Sequence, residues 1–193
     1  AWNEWERIDT VTEVIGNQAL FSGTSWSAFP GQAAEITYSF PLVVPFYYAD
    51  DADERNELVQ PLNGIQQQRI REALAIYSEF ANITFREVPD AQGGMMRFMF
   101  TEMDDGILGW AYFPNAQRPP QSTHGDVWFN AEALGTSDFA DGTEGWLTVI
   151  HEIGHAVGLG HPFTDAGQTG PQLPRDTNNH LYTQMSYNRT WQV

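Results

Sequence analysis

Apolar residues follow two different periods along this chain. In 35-EITYSFP-41, Ile36, Tyr38 and Phe40 alternate with polar neighbours, the period-2 pattern of a half-buried strand, and Pro41 closes it. The same reading predicts strands at 82–88 (NITFREV) and at 95–100 (MMRFMF), the latter with Met96, Phe98 and Phe100 on one face. A short strand at 109–113 and another at 125–130 (GDVWFN) follow. A helical period replaces alternation twice. Ile65, Ile70, Ala73, Leu74, Tyr77 and Phe80 recur at spacings of mostly three to five and give one apolar stripe on a helix over 65–79. Trp146, Leu147, Val149 and Ile150 supply the apolar face of a helix over 143–157, with Asp141 as its cap and Glu144 three residues on.

Residues 1–34 read as an N-terminal extension packed on the domain, with Asp9-Thr10 capping a short helix through Ile15 and a Gly/Ser-rich run, 22–31, after it. The acidic run 50-DDADERNE-57 reads as an exposed loop; it lacks the EF-hand spacing, so calcium is a second cofactor that no motif indicates. Segment 104–120, rich in Gly, Pro, Asp and Asn, is loop around the short strand. Strand-like segments early and a helix late argue for an α+β domain.

Composition narrows the function. With 193 residues, 41% hydrophobic and 13% aromatic, the chain can bury a sizeable core in one domain. A net charge of −16, with nine Arg and no Lys, argues against nucleic acid or an anionic membrane as partner. There is no Cys, so a transition metal would be held by His and carboxylates. No signal-peptide pattern and no apolar run of ~18 residues is present, which predicts a chain that is cytosolic or already trimmed and does not span a membrane.

One stretch carries chemistry: 150-IHEIGHAVGLGHPF-163. Four residues apart on a helix, His151 and His155 share a face and can reach one metal. Glu152 is rotated by about 100° from His151, beside the metal but free to contact water rather than ligate. Gly158 lets the chain leave the helix sharply and bring His161 back. Three imidazoles without a fourth protein ligand make the donor set of a catalytic zinc site, although copper, nickel or cobalt would bind the same ligands. His124 and His180 read as surface or outer residues, not ligands.

The pattern H-E-x-x-H-x-x-G-x-x-H resembles the signature of the metzincin zinc endopeptidases, and Pro162 after the third His is similar to the serralysins among them. Segment 183-TQMSYN-188 resembles the Met-turn of that family, and 35–40, 81–88, 109–114 and 125–130 are similar to serralysin segments in the same order. The resemblance implies an α+β domain over 35–193 with a twisted, about five-stranded sheet above the active-site helix. It further implies zinc on His151, His155 and His161, with Glu152 as general base. Met185 would form an apolar floor beneath the metal, and Tyr187 would be a mobile metal contact or a donor to the oxyanion.

Transferred to this chain, the resemblance makes 95–100 the edge strand that takes extended peptide, with Met96, Arg97 and Phe98 as substrate-binding residues. It also implies secretion by a bacterium, protein or peptide substrates, and a proteinaceous inhibitor as a further partner. Serralysins continue into a C-terminal helix and a Gly/Asp-rich β-roll, and the sequence here, ending at Val193, is expected to lack both. Asn82-Ile83-Thr84 and Asn188-Arg189-Thr190 match glycosylation acceptors, silent in a bacterium. A zinc-stabilised binding or adhesion module that cuts nothing is the alternative, and Glu152 speaks against it because a structural zinc has no use for that carboxylate.

Overall fold

A computed structural model describes residues 18–29, 31–48, 59–118, 121–164 and 171–188. The expected helix through Ile15 and the acidic run 50–57 lie outside them. The chain divides into two units, Thr24–Val157 and Ala1–Gly23 together with Gly158–Val193. The larger unit holds strands β1 (Ala34–Ser39), β2 (Ile83–Glu87), β3 (Met96–Thr101), β4 (Gly109–Ala111) and β5 (Val127–Asn130). It also holds helices α1 (Gly64–Phe80), α2 (Ala131–Leu134) and α3 (Glu144–Ala156). Every strand expected from alternation forms, as do both long helices, with ends moved by a residue or two; α2, capped by the Asn130 side chain, is an addition.

The sheet order is β2-β1-β3-β5-β4, parallel except for β4, which runs antiparallel to β5. This corrects the expected edge strand. β3 is central, flanked by β1 and β5, and all six of its residues are buried. MMRFMF is a near-continuous apolar run, as strands covered on both faces are. Met96 and Phe98 are fully buried core side chains, not a substrate surface. The antiparallel edge belongs to β4.

Alternation sorts side chains between two apolar clusters. Met96, Phe98 and Phe100 of β3 and Val127 and Phe129 of β5 pack with Ile70, Ala73 and Leu74 of α1 and Val149, Ile153 and Ala156 of α3. Met99 and Trp128 point the other way, to Tyr48 and the partly buried Tyr47, Trp110 and Tyr112. α1 starts with a capping box: the Asn63 side chain accepts from the Gln66 backbone, and the Gln66 side chain accepts from the Asn63 N–H. At its ends, Ile65 and Phe80 are exposed although they fit the stripe. Gln66 is buried instead, its amide donating to the carbonyls of Ser137 and Gly135.

Arg97 is buried too, and the reason is electrostatic. Its guanidinium donates to Asp90 Oδ1 at 3.2 Å and to the Tyr47 hydroxyl at 2.8 Å. Tyr47 and Tyr48 in turn both donate to Asp126 Oδ2, and Trp128 Nε1 donates to Tyr48. Asp126 sits directly before β5, fully buried, and burial pushes its carboxyl up to about 8, against the pull of both tyrosines, Arg97 and Arg118.

That shift fixes a sign. Between the ordinary carboxylate range and about 8 the folded state holds a proton that the unfolded state has lost, so the contribution of Asp126 to stability is complete at low pH and declines as pH rises towards 8. Urea unfolding at pH 5 and pH 8 should show a decline, of at most about 1.4 kcal/mol per pH unit for one proton, that Asp126→Asn reduces. An identical pH profile in the variant would refute the assignment.

Candidate metal centre

α3 is held at its start by Thr143, whose side chain accepts from the Trp146 N–H. Thr143, not Asp141, is the cap. Thr148, Val149, His151, Glu152, Ile153, His155 and Ala156 are all buried, so the helix buries two imidazoles, a carboxyl and a hydroxyl among apolar side chains. His151 and His155 stand one turn apart with their Nε2 atoms 3.1 Å from each other and their rings nearly perpendicular, at 84°. Two nitrogens bound to one tetrahedral zinc at its usual bond length would be separated by about 3.3 Å. The pair therefore fits that metal. The Phe113 ring meets His155 edge-on at 5.4 Å.

Glu152 is buried, and its Oε2 has no hydrogen-bond partner among the described residues. Burial pushes its carboxyl up to about 8. A cation beside it acts in the opposite direction and favours the carboxylate.

Beyond α3 the chain turns at Gly158, whose φ of 108° suits glycine, as its place in the motif predicted. The Gly158 carbonyl accepts from both the N–H and the hydroxyl of Ser22, and the Gly160 N–H donates to Leu20. These bonds fix the segment that carries His161. The His161 ring is buried, stacked on Phe163 at 4.8 Å and 7°, and it meets the Tyr187 ring at 4.7 Å. Met185 is buried and Tyr187 is largely exposed.

The turn between them is tied by side chains. Thr183 Oγ1 accepts from the Met185 N–H, the Ser186 hydroxyl donates to Asn178 Oδ1, and His180 Nε2 donates to the Ser186 carbonyl at 2.7 Å. His124 is used in the same way, its Nδ1 facing the Phe113 carbonyl at 3.3 Å. Both histidines serve the backbone. His151, His155 and His161 form the group of metal donors among the described residues.

Phe113 was not singled out in the sequence, although the period-2 pattern of 109–113 puts it on the same face as Gly109 and Ala111. Phe163, two residues after His161, carried no periodic signal at all.

Sheet, helix and histidines together define a mixed-sheet domain with a three-histidine metal site. Residues 56–169 match the family described as Matrixin, and the chain belongs to that family of metzincin peptidases. It is similar to serralysin of Proteus mirabilis, 31% identical over 81% of this chain and 34% of that protein. Serralysin A of Dickeya chrysanthemi is 29% identical over 91% of this chain and 37% of that protein. The chain spans about a third of the length of these relatives. Among solved structures it is similar to that of myroilysin, with 24% identity and a TM-score of 0.44 over 74% of this chain and 54% of that one.

Gently purified protein should contain about one zinc per chain by elemental analysis, with four-coordinate geometry. His155→Ala should lose it, whereas His124→Ala and His180→Ala should keep it. Retention of zinc by the His155 variant would show the ligand set to be wrong.

Proposed function

We propose that this domain is a secreted zinc endopeptidase that cuts extended protein substrates, with Glu152 as its general base. The observation that carries the reading is the buried Oε2 of Glu152, without a hydrogen-bond partner among the described residues and directly beside His151 in the chain. His151, His155 and His161 hold the metal. Bound zinc supplies Lewis acidity, polarising the scissile carbonyl and making water acidic enough to attack near neutral pH. Glu152 accepts the proton of the attacking water and returns it to the amine that leaves. Tyr187, exposed and packed against His161, offers its hydroxyl to the developing oxyanion, and Met185 supports the ligands from an apolar floor.

Substrate would dock on β4. In its ladder with β5, Leu108 and Tyr112 use their backbone groups towards the sheet. Alternation then leaves those of Gly109 and Ala111 on the outer side, free to pair with an extended peptide. Secretion is supported by the likeness to serralysins, and among the described residues no helix is long and apolar enough to cross a membrane.

Glu152→Gln keeps the shape of the side chain but removes the base. Cleavage of an unstructured protein should fall by a factor on the order of 10²–10⁴ with zinc content unchanged, while Tyr187→Phe should cost less and leave KM close to that of the parent. A Gln variant that still cleaves at parental rate would leave the base unassigned and favour another proton acceptor. Ala111→Pro removes one outward N–H from the edge strand, and KM should rise by a factor of about 2–10, the worth of one hydrogen bond. An unchanged KM would place substrate elsewhere.

A further inference from the structure

Gly109 lies on β4 opposite Phe129 of β5. Its backbone is not among the positive-φ glycines, so conformation does not demand glycine there. Space does. A Cβ at this position would stand 3.0 Å from Glu152 Cγ, 3.2 Å from Thr148 Cγ2 and 2.9 Å from the Trp128 carbonyl oxygen. Gly64, Gly106 and Gly142, by contrast, would meet nothing within 4 Å. Of the three crowded atoms, the carbonyl belongs to the neighbouring strand of the sheet and can yield little. The other two belong to the face of α3 that carries His151 and Glu152.

Among the described residues Glu152 Oε2 has no hydrogen-bond partner to orient it. Packing around the methylene stem therefore helps to set the direction of the carboxyl, and Gly109 faces that stem. We infer that Gly109 is a positioning residue for Glu152: the missing side chain fixes where the stem lies, and any side chain there displaces the carboxylate from the proton it must take. The inference rests on the assignment of Glu152 as general base. It is independent of how β4 binds peptide, because a Cβ that pushed β4 outward instead would disturb docking and appear in KM.

The test is Gly109→Ala in the otherwise unaltered domain and in the Glu152→Gln background, with kcat, KM and zinc content measured on one peptide substrate. A displacement of a few tenths of an ångström at the reacting groups should lower kcat on the order of tenfold while KM stays within about twofold. Zinc should be retained. In the Gln background, read by single turnover at high enzyme, the same substitution should lower the rate no further, because the base it misplaces is already gone.

An unchanged kcat overturns the inference, and so does an equal fall in both backgrounds, a loss confined to KM, or a loss that follows zinc. Should Gly109→Ala not fold, Thr148→Ile fills the same gap from the helix and leaves β4 unaltered. It should reproduce the fall in kcat, and parental kcat in that variant overturns the inference. If the unaltered domain cleaves nothing, the endopeptidase reading fails and this inference with it; an active parent with a fully active Gly109→Ala sinks the positioning role alone.

Discussion

Burying polar groups on one face of a helix is the constraint around which this structure is organised. Two imidazoles and a carboxyl on α3 give up water, a desolvation cost that a cation among their donors would offset. The rest of the helix surroundings keeps that cost confined to the site. Val149, Ile153 and Ala156 pack into the main core, the Tyr77 hydroxyl donates to the Ile150 carbonyl, and Trp26 Nε1 donates to the carbonyl of Ala156 near the helix end. The Ala156 carbonyl lies in the last turn, where the helix offers no donor, and the Ile150 carbonyl gains a second donor beside its helical one.

Much of this is legible in the amino-acid sequence. A metal motif confined to eleven consecutive residues depends only on the helical period and one turn, so its geometry is local and readable. Strands with clean alternation were readable for the same reason. What failed was information carried by pairing. The sequence 95–100 shows that a strand is apolar, but its neighbours are chosen by segments far away, and a buried central strand differs from an edge strand only in lacking alternation. Arg97 disguised that difference, because a charge in the run looks like a solvent-facing position. Its partners, Asp90 and Tyr47, come from an adjacent turn and from a segment fifty residues away.

The helix ends show a smaller version of the same limit. Asp141 and Thr143 are both good capping residues, and three-residue spacing to Glu144 favoured the first. The backbone decided for the second, since Thr143 has the extended conformation that lets its hydroxyl reach Trp146. Likewise Gly109, where a side chain would crowd Glu152, and Phe113, whose ring meets His155, come from about forty residues upstream, so nothing in the histidine motif announces them. Met185 and Tyr187 were legible only by likeness to a known turn, because the side-chain bonds that tie it involve Asn178 and Thr183, which no period marks.

The antiparallel β4 at the rim of a parallel sheet bears on which proteins such a domain could digest. If substrate docks there, a three-residue rim would hold it through backbone groups, a grip blind to much of the victim's sequence and sensitive to its shape. A native protein already spends its strand edges on its own sheets and its helical amides on its own helices, and cannot lend them. Only chain that is unfolded, frayed or looped out can complete the ladder. Susceptibility would then follow the local opening equilibrium of the victim. Under that arrangement a stable fold is its own protection, and damaged or stretched polypeptide is what the rim selects.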